Sequence, residues 1–200
     1  MNWLLPFLLT ATIAAAEPAT WKPLFNGTDL TGWHTQPGGE WKVVDGTILG
    51  TSPKAEKRHG LLVSDKQFKN FRVRAKFRVT NGDSGFYFRA AKTKTKVAIQ
   101  GFQAEVDNSP EVGGLYETAG RAWVKRPDPE LIKKLVKPGE WTDILVTAIG
   151  DDITVSLNGT VVTELLGDAK CRKEGHIALQ LHGGMDMHVE FKDLAILELP

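Results

Sequence analysis

The strongest constraint on the fold is an alternation of apolar and polar residues in short runs that turn residues separate. Between residues 71 and 79, Phe, Val and Ala fill every odd position and Arg or Lys every even one. Because side chains on a strand point alternately to two faces, this run predicts a half-buried strand. Asp45-Gly46 and Asn158-Gly159 predict two tight hairpins, and residues 150–152 join two more alternating runs.

About a dozen short strands are predicted in this way, with almost no helical pattern. One or two helical turns are expected between Glu130 and Val136, and residues 108–130 show no stable period. The pattern therefore predicts an all-β fold, an antiparallel β-sandwich of the jelly-roll type.

Composition limits the size and the partners of the protein. The 200 residues, 42% of them hydrophobic, suffice for one domain, and no repeat or Pro/Ser linker divides them. The 25 basic and 24 acidic side chains leave a formal charge of +1. This balance argues against nucleic acid or an anionic membrane as partner and favours a small neutral ligand.

Residues 1–16 form an apolar run that is too short to span a bilayer and ends on small residues, Ala14 and Ala16. We expect a secretory signal, a mature domain over 17–200, and a secreted or periplasmic protein that is not inserted in the membrane after cleavage. An uncleaved N-terminal anchor is the alternative. The single cysteine, Cys171, cannot form an internal disulfide.

The stretch from Asp83 to Asp107 contains two alternating runs that predict neighbouring strands. One face of these strands would place Phe86, Phe88 and Ala104 in the core. The opposite face would carry a set of polar or aromatic side chains, namely Tyr87, Arg89, Gln103, Glu105 and Asp107. Such a face predicts a polar site, although solvent-facing decoration has the same composition.

Later segments offer further residues for this site. Gln180 and His182 alternate with the apolar residues of a strand that ends at Gly183-Gly184, whereas the other four histidines lack comparable neighbours. The irregular segment 108–130 carries Tyr116, Trp123 and Lys125, and it is either a lid over the polar face or a merely packed or disordered insertion. Aromatic rings, amides and carboxylates together are the groups that recognise sugars, so we expect a small carbohydrate as ligand.

Glu105 and Asp107 lie two residues apart on one strand, so their side chains share a face. Two close carboxyl groups can act as an acid and a base, but they can equally bind Ca²⁺ or end a strand. Glu105-x-Asp107 resembles the start of the E-x-D-x-x-E strand of some sandwich glucanases. Here Pro110 fills the third position and Glu111 comes one residue late, which leaves a two-carboxylate glycosidase mechanism in doubt. No cofactor is predicted, and no histidine spacing suggests zinc.

Several sequence blocks occur in one order along the chain: W-K-P-L-F-N-G-T-D-L-T-G-W, G-E-W-K-V-V-D-G-T-I-L-G, N-G-D-S-G-F-Y-F-R, G-F-Q-A-E-V-D, G-G-L-Y, P-G-E-W-T-D-I and G-H-I-A-L-Q-L-H-G. Together they resemble the 3-keto-disaccharide hydrolase domain family. At Asp83, Phe102 and Ala104 the chain differs from the residues that are common at these positions in the family. The resemblance implies a concanavalin A-like or laminarinase-like sandwich and a role in secreted or periplasmic carbohydrate metabolism.

The resemblance also implies a reaction that needs only one base. A ketone at C3 of a sugar acidifies the hydrogen at C2, so a base can remove that proton, the anomeric group can leave, and water can then add to the enone. The hypothesis assigns the base to His182 or Glu105 and the stabilisation of the enolate oxygen, or of a hydroxyl group, to Arg89. Asp107 and Gln180 would orient their partners, and Tyr116 would protonate the leaving oxygen.

The remaining candidates are expected to bind substrate, namely Tyr87, Gln103, Gln180, Trp123 and Lys125. A non-catalytic carbohydrate-binding module is the main alternative, because the same sandwich serves lectins and enzymes.

Overall fold

The computed structural model describes residues 20–94 and 97–200, and the predicted signal segment, residues 1–16, lies outside this part of the chain. The described residues form short strands and one helix. In chain order these are β1 (Lys22–Pro23), β2 (Trp33–Gln36), β3 (Glu40–Val44), β4 (Thr47–Ser52), β5 (Gly60–Phe68), β6 (Phe71–Asn81), β7 (Ser84–Lys92), β8 (Ile99–Val106), β9 (Leu115–Thr118), β10 (Ala122–Lys125), α1 (Pro129–Leu135), β11 (Thr142–Ile149), β12 (Asp152–Leu157), β13 (Thr160–Leu165), β14 (Gly175–Leu181) and β15 (Met187–Glu198).

The strands form two antiparallel sheets that pack face to face. The back sheet has the order β13-β12-β11-β6-β15-β4-β3, with β1 paired to β15, and the front sheet has the order β10-β9-β8-β7-β14-β5-β2. Strands distant in the sequence are neighbours in both sheets, as in β7 beside β14. The predicted antiparallel β-sandwich is confirmed.

The alternating residues pack where their period places them. Phe71, Val73 and Phe77 of β6 are buried between the sheets, while Arg72 and Arg74 are exposed on the outer face of the back sheet. In the front sheet, the inward-facing residues belong to the same buried cluster, which includes Phe86, Phe88, Phe102, Ala104, Val106, Ile177, Leu179 and Leu181. Removing this apolar surface from water is the main force that joins the sheets.

The predicted hairpins are present. Asp45 and Gly46 have φ values of 49° and 72°, and Asn158 and Gly159 have values of 47° and 81°. Two successive positive φ angles match the right-handed twist of the strands that such a turn connects, and Asn, Asp and Gly tolerate them best.

Segment 108–130 is more regular than its sequence indicates, since it contains the hairpin β9–β10 at the edge of the front sheet. Both strands have four residues, too few to show a clear period. The expected helical turns are present as α1, which begins after Asp128, whose side chain accepts a hydrogen bond from the backbone amide of Glu130. Across the described ranges, no helix has the length and apolar character needed to cross a membrane.

Candidate functional site

The outer face of the front sheet carries a row of side chains that crosses six strands. Cross-strand pairing aligns Trp123, Tyr116, Gln103, Tyr87, Ala178 and Val63, one from each of β10, β9, β8, β7, β14 and β5. Neighbouring strands lie about 5 Å apart, so the row is a continuous surface. Glu105 lies two residues beyond Gln103 on β8, and Gln180 two residues beyond Ala178 on β14, so a second row of polar groups runs beside the first.

This face forms an open cleft of about 450 Å³. Eight of the ten predicted site residues line it: Tyr87, Gln103, Glu105, Asp107, Tyr116, Trp123, Gln180 and His182. The polar face predicted from the alternation of β7 and β8 is therefore present, and β14 and the β9–β10 hairpin complete it.

A larger depression, of about 880 Å³, lies on the outer face of the back sheet and includes Trp21, Arg72 and Arg74. Its cations are those of the solvent-facing positions of β6, and the Arg74 guanidinium stacks 4.5 Å from the centre of the Trp21 ring. The front cleft is smaller, but it gathers the buried carboxyl group of Glu105, the buried phenol of Tyr87 and the half-buried imidazoles of His59 and His182. Convergent polar groups with shifted pKa values are more typical of functional sites than volume alone, so the front cleft is the candidate site.

Gly85 gives the cleft its floor. A Cβ atom at this position would lie 2.2 Å from Gln103 Oε1, so only glycine leaves room for the Gln103 side chain. Gln103 Nε2 donates to Glu105 Oε2 at 3.1 Å, while its Oε1 is buried without a hydrogen-bond partner among the described residues. The glycine on β7 thus positions an amide that holds the carboxyl of β8.

Tyr87 anchors the centre of the cleft. Its hydroxyl lies 2.7 Å from Thr118 Oγ1 and accepts a hydrogen bond from Gln180 Nε2 at 3.2 Å. Burial raises the pKa of the Tyr87 phenol well above its ordinary value, so the group stays neutral. This chain of hydrogen bonds fixes the Gln180 amide beside the histidines.

Glu105 is the most perturbed carboxyl group of the cleft. It is 5% exposed, and burial, followed by a hydrogen bond with Asp83, raises its pKa to about 10. The group is therefore a neutral carboxylic acid at pH 7, able to donate a proton. Burial also raises the pKa of Asp107, although hydrogen bonds from Ser109 oppose that shift.

His182 lies at the opposite end of the cleft. Its Nδ1 is 3.0 Å from the carbonyl oxygen of Gly183, and since a carbonyl can only accept, Nδ1 carries the hydrogen and Nε2 is left as the acceptor in the neutral ring. The ring of His59 meets that of His182 edge to face at 4.4 Å, and His59 Nδ1 lies 3.4 Å from Gln180 Nε2. The cleft therefore has a carboxyl end and an imidazole end.

Six residues that line the cleft were not predicted from the sequence, and three of them are ionisable, namely His59, Asp83 and Glu111. Asp83 could have been assigned to the polar face, because it lies two residues before Gly85 and four before Tyr87, and every second residue of a strand points to the same face. Glu111 follows Pro110 in a segment without alternation, so its sequence position does not indicate a place in the cleft. Its carboxylate accepts a hydrogen bond from Arg126 Nε at 2.7 Å. His59 comes from a charged loop with no period, and only the pairing of β5 with β14 brings it near His182.

The prediction that Arg89 shares the polar face is wrong. A bulge interrupts the pairing of β7 with β8 between Phe88 and Ala91, and Arg89 has a φ of 47°. A bulge shifts the alternation by one residue, so the side chain turns away from the cleft. The guanidinium is 1% exposed and donates to three backbone carbonyl oxygens, those of Lys69, Gly150 and Arg172.

Lys125 is the second correction. Trp123 pairs with Tyr116, but a register shift places Lys125 opposite Leu115, which faces the other way. Lys125 is exposed and does not line the cleft, although Trp123 does. The prediction that both residues of the irregular segment 108–130 bind substrate therefore fails for Lys125, because the shift turns its side chain away from the cleft.

Metal binding has no support in the described part of the chain, where no group of three or more His, Cys, Asp or Glu side chains is arranged to hold an ion. The predicted pair of Glu105 and Asp107 lines one cleft, and Asp83 adds a third carboxyl group. Asp83 and Glu105, however, interact through a hydrogen bond, which two carboxyl groups form by sharing a proton and not by binding a metal ion. Cys171 is buried elsewhere, with its Sγ 3.8 Å from Arg89 Nη1.

Comparison with known proteins places this geometry in a family. The model of the 3-keto-alpha-glucoside-1,2-lyase-like domain matches residues 20–197. The chain belongs to this family. The match spans both sheets and every residue of the cleft described above, and it confirms the resemblance inferred from the sequence blocks. No curated protein matches the chain.

Solved structures of low sequence identity share the fold of this lyase-like domain. A Parabacteroides distasonis ATCC 8503 protein described as a "putative glycosyl hydrolase" is 23% identical, with 90% of this chain and 94% of that chain covered and a TM-score of 0.68. The carbohydrate binding module CBM66 from Bacillus subtilis is 18% identical, with 84% and 96% covered and a TM-score of 0.62. The kappa-carrageenase from Pseudoalteromonas carrageenovora is 14% identical, with 94% and 98% covered and a TM-score of 0.59. The sandwich is thus shared by carbohydrate-active and carbohydrate-binding proteins.

Proposed function

We propose that the protein is an enzyme that cleaves the glycosidic bond of 3-keto-glucosides by elimination, followed by addition of water. The observation that carries the proposal is the pairing of a neutral carboxylic acid, Glu105, with an imidazole acceptor, His182 Nε2, in one cleft. Elimination needs one group that accepts a proton and one that donates it. The family supports the substrate class.

In the first step, His182 Nε2 removes the proton from C2, and the electron pair moves toward the C3 oxygen to form an enolate. Arg89 is buried at the other end of β7 and cannot reach this oxygen. We therefore assign the donor to the enolate to the Gln180 amide, through the hydrogen that does not bind Tyr87. Donors held in place before the reaction stabilise developing charge at little reorganisation cost.

In the second step, the enolate collapses, the bond between C1 and the leaving oxygen breaks, and Glu105 protonates that oxygen. The products are an alcohol and an enone. Water then adds at C1 and gives its proton to the Glu105 carboxylate, while the His182 imidazolium returns a proton to C2. Both groups recover their initial protonation state, so the cycle closes without an external acid or base.

The geometry argues against two-carboxylate hydrolysis by Asp83 and Glu105. Glycosidases of that type hold their two carboxyl groups about 5 to 9.5 Å apart, on either side of the sugar. Asp83 and Glu105 are close enough to share a hydrogen bond, which is closer than the separation that this mechanism requires. In our proposal Asp83 instead helps to keep the Glu105 proton in place.

The test is turnover of matched substrates by the purified protein. We expect release of glucose from trehalose oxidised at one C3 position and no release from plain trehalose, because only the ketone acidifies the C2 hydrogen. A carbohydrate-binding module without catalysis is the alternative, and it would bind both sugars and release glucose from neither. Export to the periplasm or the medium stays a prediction, which fractionation of expressing cells would test.

A further inference from the structure

Tyr116 and Trp123 form an aromatic corner at the carboxyl end of the cleft. They are cross-strand partners on β9 and β10, their ring centres are 5.5 Å apart, and their planes meet at 89°. Both rings line the cleft, so the corner presents apolar surface in two directions. In the described part of the chain, the Tyr116 hydroxyl has no hydrogen-bond partner.

Trp123 is held rigidly in this corner. A Cβ atom at Gly114 would lie 2.8 Å from Trp123 Cζ3, so the ring packs directly on the backbone there. The Arg126 guanidinium lies 4.2 Å from the centre of the ring, and Arg126 Nε donates to Glu111 Oε1 at 2.7 Å. Arg126 does not line the cleft, so it supports the ring from outside by a cation–π contact.

The order of the strands sets the direction in which a substrate lies. Across the front sheet, His182 lies at the end of β14, Glu105 lies on β8, and the aromatic corner lies on β9 and β10. Glu105 is therefore between His182 and the corner. The oxygen of the leaving group must meet the Glu105 proton, while the C2 hydrogen must face His182. The remainder of the leaving group therefore extends away from His182, toward the corner.

We propose that the aromatic corner is the leaving-group subsite, and that it selects glycosides whose leaving group is itself a pyranose. A pyranose offers a flat apolar face to an aromatic ring and hydroxyl groups to the Tyr116 phenol. Adjacent cross-strand positions offset by two residues lie about 7 to 8 Å apart, as for Glu105 and Tyr116, which a glycosidic linkage can span. Arg126 is a positioning residue that fixes the Trp123 ring. This inference rests on the proposed function for the direction of the substrate.

The test compares two 3-keto-glucosides that differ only in the leaving group, methyl 3-keto-α-glucoside and singly oxidised trehalose. Trp123→Ala is expected to lower kcat/KM on the trehalose derivative by about tenfold or more, through KM, and to change that on the methyl glycoside by less than about twofold. Arg126→Met should give a smaller loss with the same selectivity. Trp141→Ala, on the back sheet under Arg78 and Lys192, is the matched control and should alter neither value.

Equal losses on both substrates, or no loss on the trehalose derivative, would overturn the subsite. Calorimetric binding of plain trehalose and methyl α-glucoside separates this inference from the proposed function. If the wild type turns over nothing, a selective loss of trehalose binding in Trp123→Ala still supports the corner as a sugar subsite. Trehalose affinity that is unchanged in Trp123→Ala overturns it, whatever the turnover.

Discussion

The buried acid Glu105 makes the stability of the fold depend on pH in a defined direction. Its folded-state pKa, about 10, is above the ordinary value of 4.5, so the folded protein binds a proton that the unfolded chain releases. The contribution of Glu105 to the free energy of unfolding is then greatest below pH 4.5 and falls by about 1.4 kcal/mol per pH unit until the folded pKa is reached. At pH 7 the accumulated cost of keeping Glu105 neutral is about 3 kcal/mol.

Glu105→Gln removes this cost and keeps the local hydrogen bonds. The glutamine amide can donate to Asp83 as the protonated carboxyl does, and its oxygen can accept from Gln103 Nε2. We expect the variant to be more stable than the wild type by up to about 3 kcal/mol at pH 7 and equally stable near pH 4.

Urea unfolding between pH 4 and pH 8 measures the difference. Glu140→Gln, at an exposed position, is the control and should run parallel to the wild type. A variant Glu105→Gln that is no more stable than the wild type at pH 7, or whose difference is the same at every pH, would refute the reasoning. The same variant should lose glycosidic cleavage, so stability and activity change in opposite directions.

Three further predictions concern Arg89, Gly85 and the role of Glu105 as the acid. Arg89→Met should destabilise the fold by about 2 to 4 kcal/mol in urea unfolding, because the carbonyl groups of Lys69, Gly150 and Arg172 lose their hydrogen-bond donor. Its kcat should stay near that of the wild type. A large loss of kcat in the folded variant would show that Arg89 acts in the site. Gly85→Ala should displace the Gln103 side chain and lower kcat/KM by about tenfold or more, and an unchanged value would show that Gln103 is not needed. The pH profile of kcat/KM should fall above about pH 10, where Glu105 loses its proton, and a profile that stays flat beyond about pH 11 would remove it as the acid.

Much of the site could be predicted because a strand alternates its faces. The runs in β7 and β8 assign Tyr87, Gln103 and Glu105 to one surface without any knowledge of the partner strands. Extending the same period by one step would have added Asp83. The turn dipeptides likewise predicted two hairpins correctly, since they impose positive φ angles that few other residues tolerate.

What could not be predicted depends on irregularity and on long-range pairing. A single bulge turns Arg89 away from the cleft, and a register shift turns Lys125 away from it. Neither irregularity can be recognised from the residue types around it. The pairing of β14 with β7 joins residues about ninety positions apart, such as Tyr87 and Ala178. That pairing brings His182 into the cleft, and the short strand β9 adds Tyr116 at its other end.

The central claim is that His182 removes the C2 proton and Glu105 protonates the leaving group. It is tested most directly by exchange of the C2 hydrogen of methyl 3-keto-α-glucoside with D₂O, followed by NMR in the wild type, Glu105→Gln and His182→Ala. We expect Glu105→Gln to exchange the hydrogen without releasing methanol, and His182→Ala to do neither. Exchange that persists in His182→Ala, or that disappears in Glu105→Gln, would contradict this division of roles.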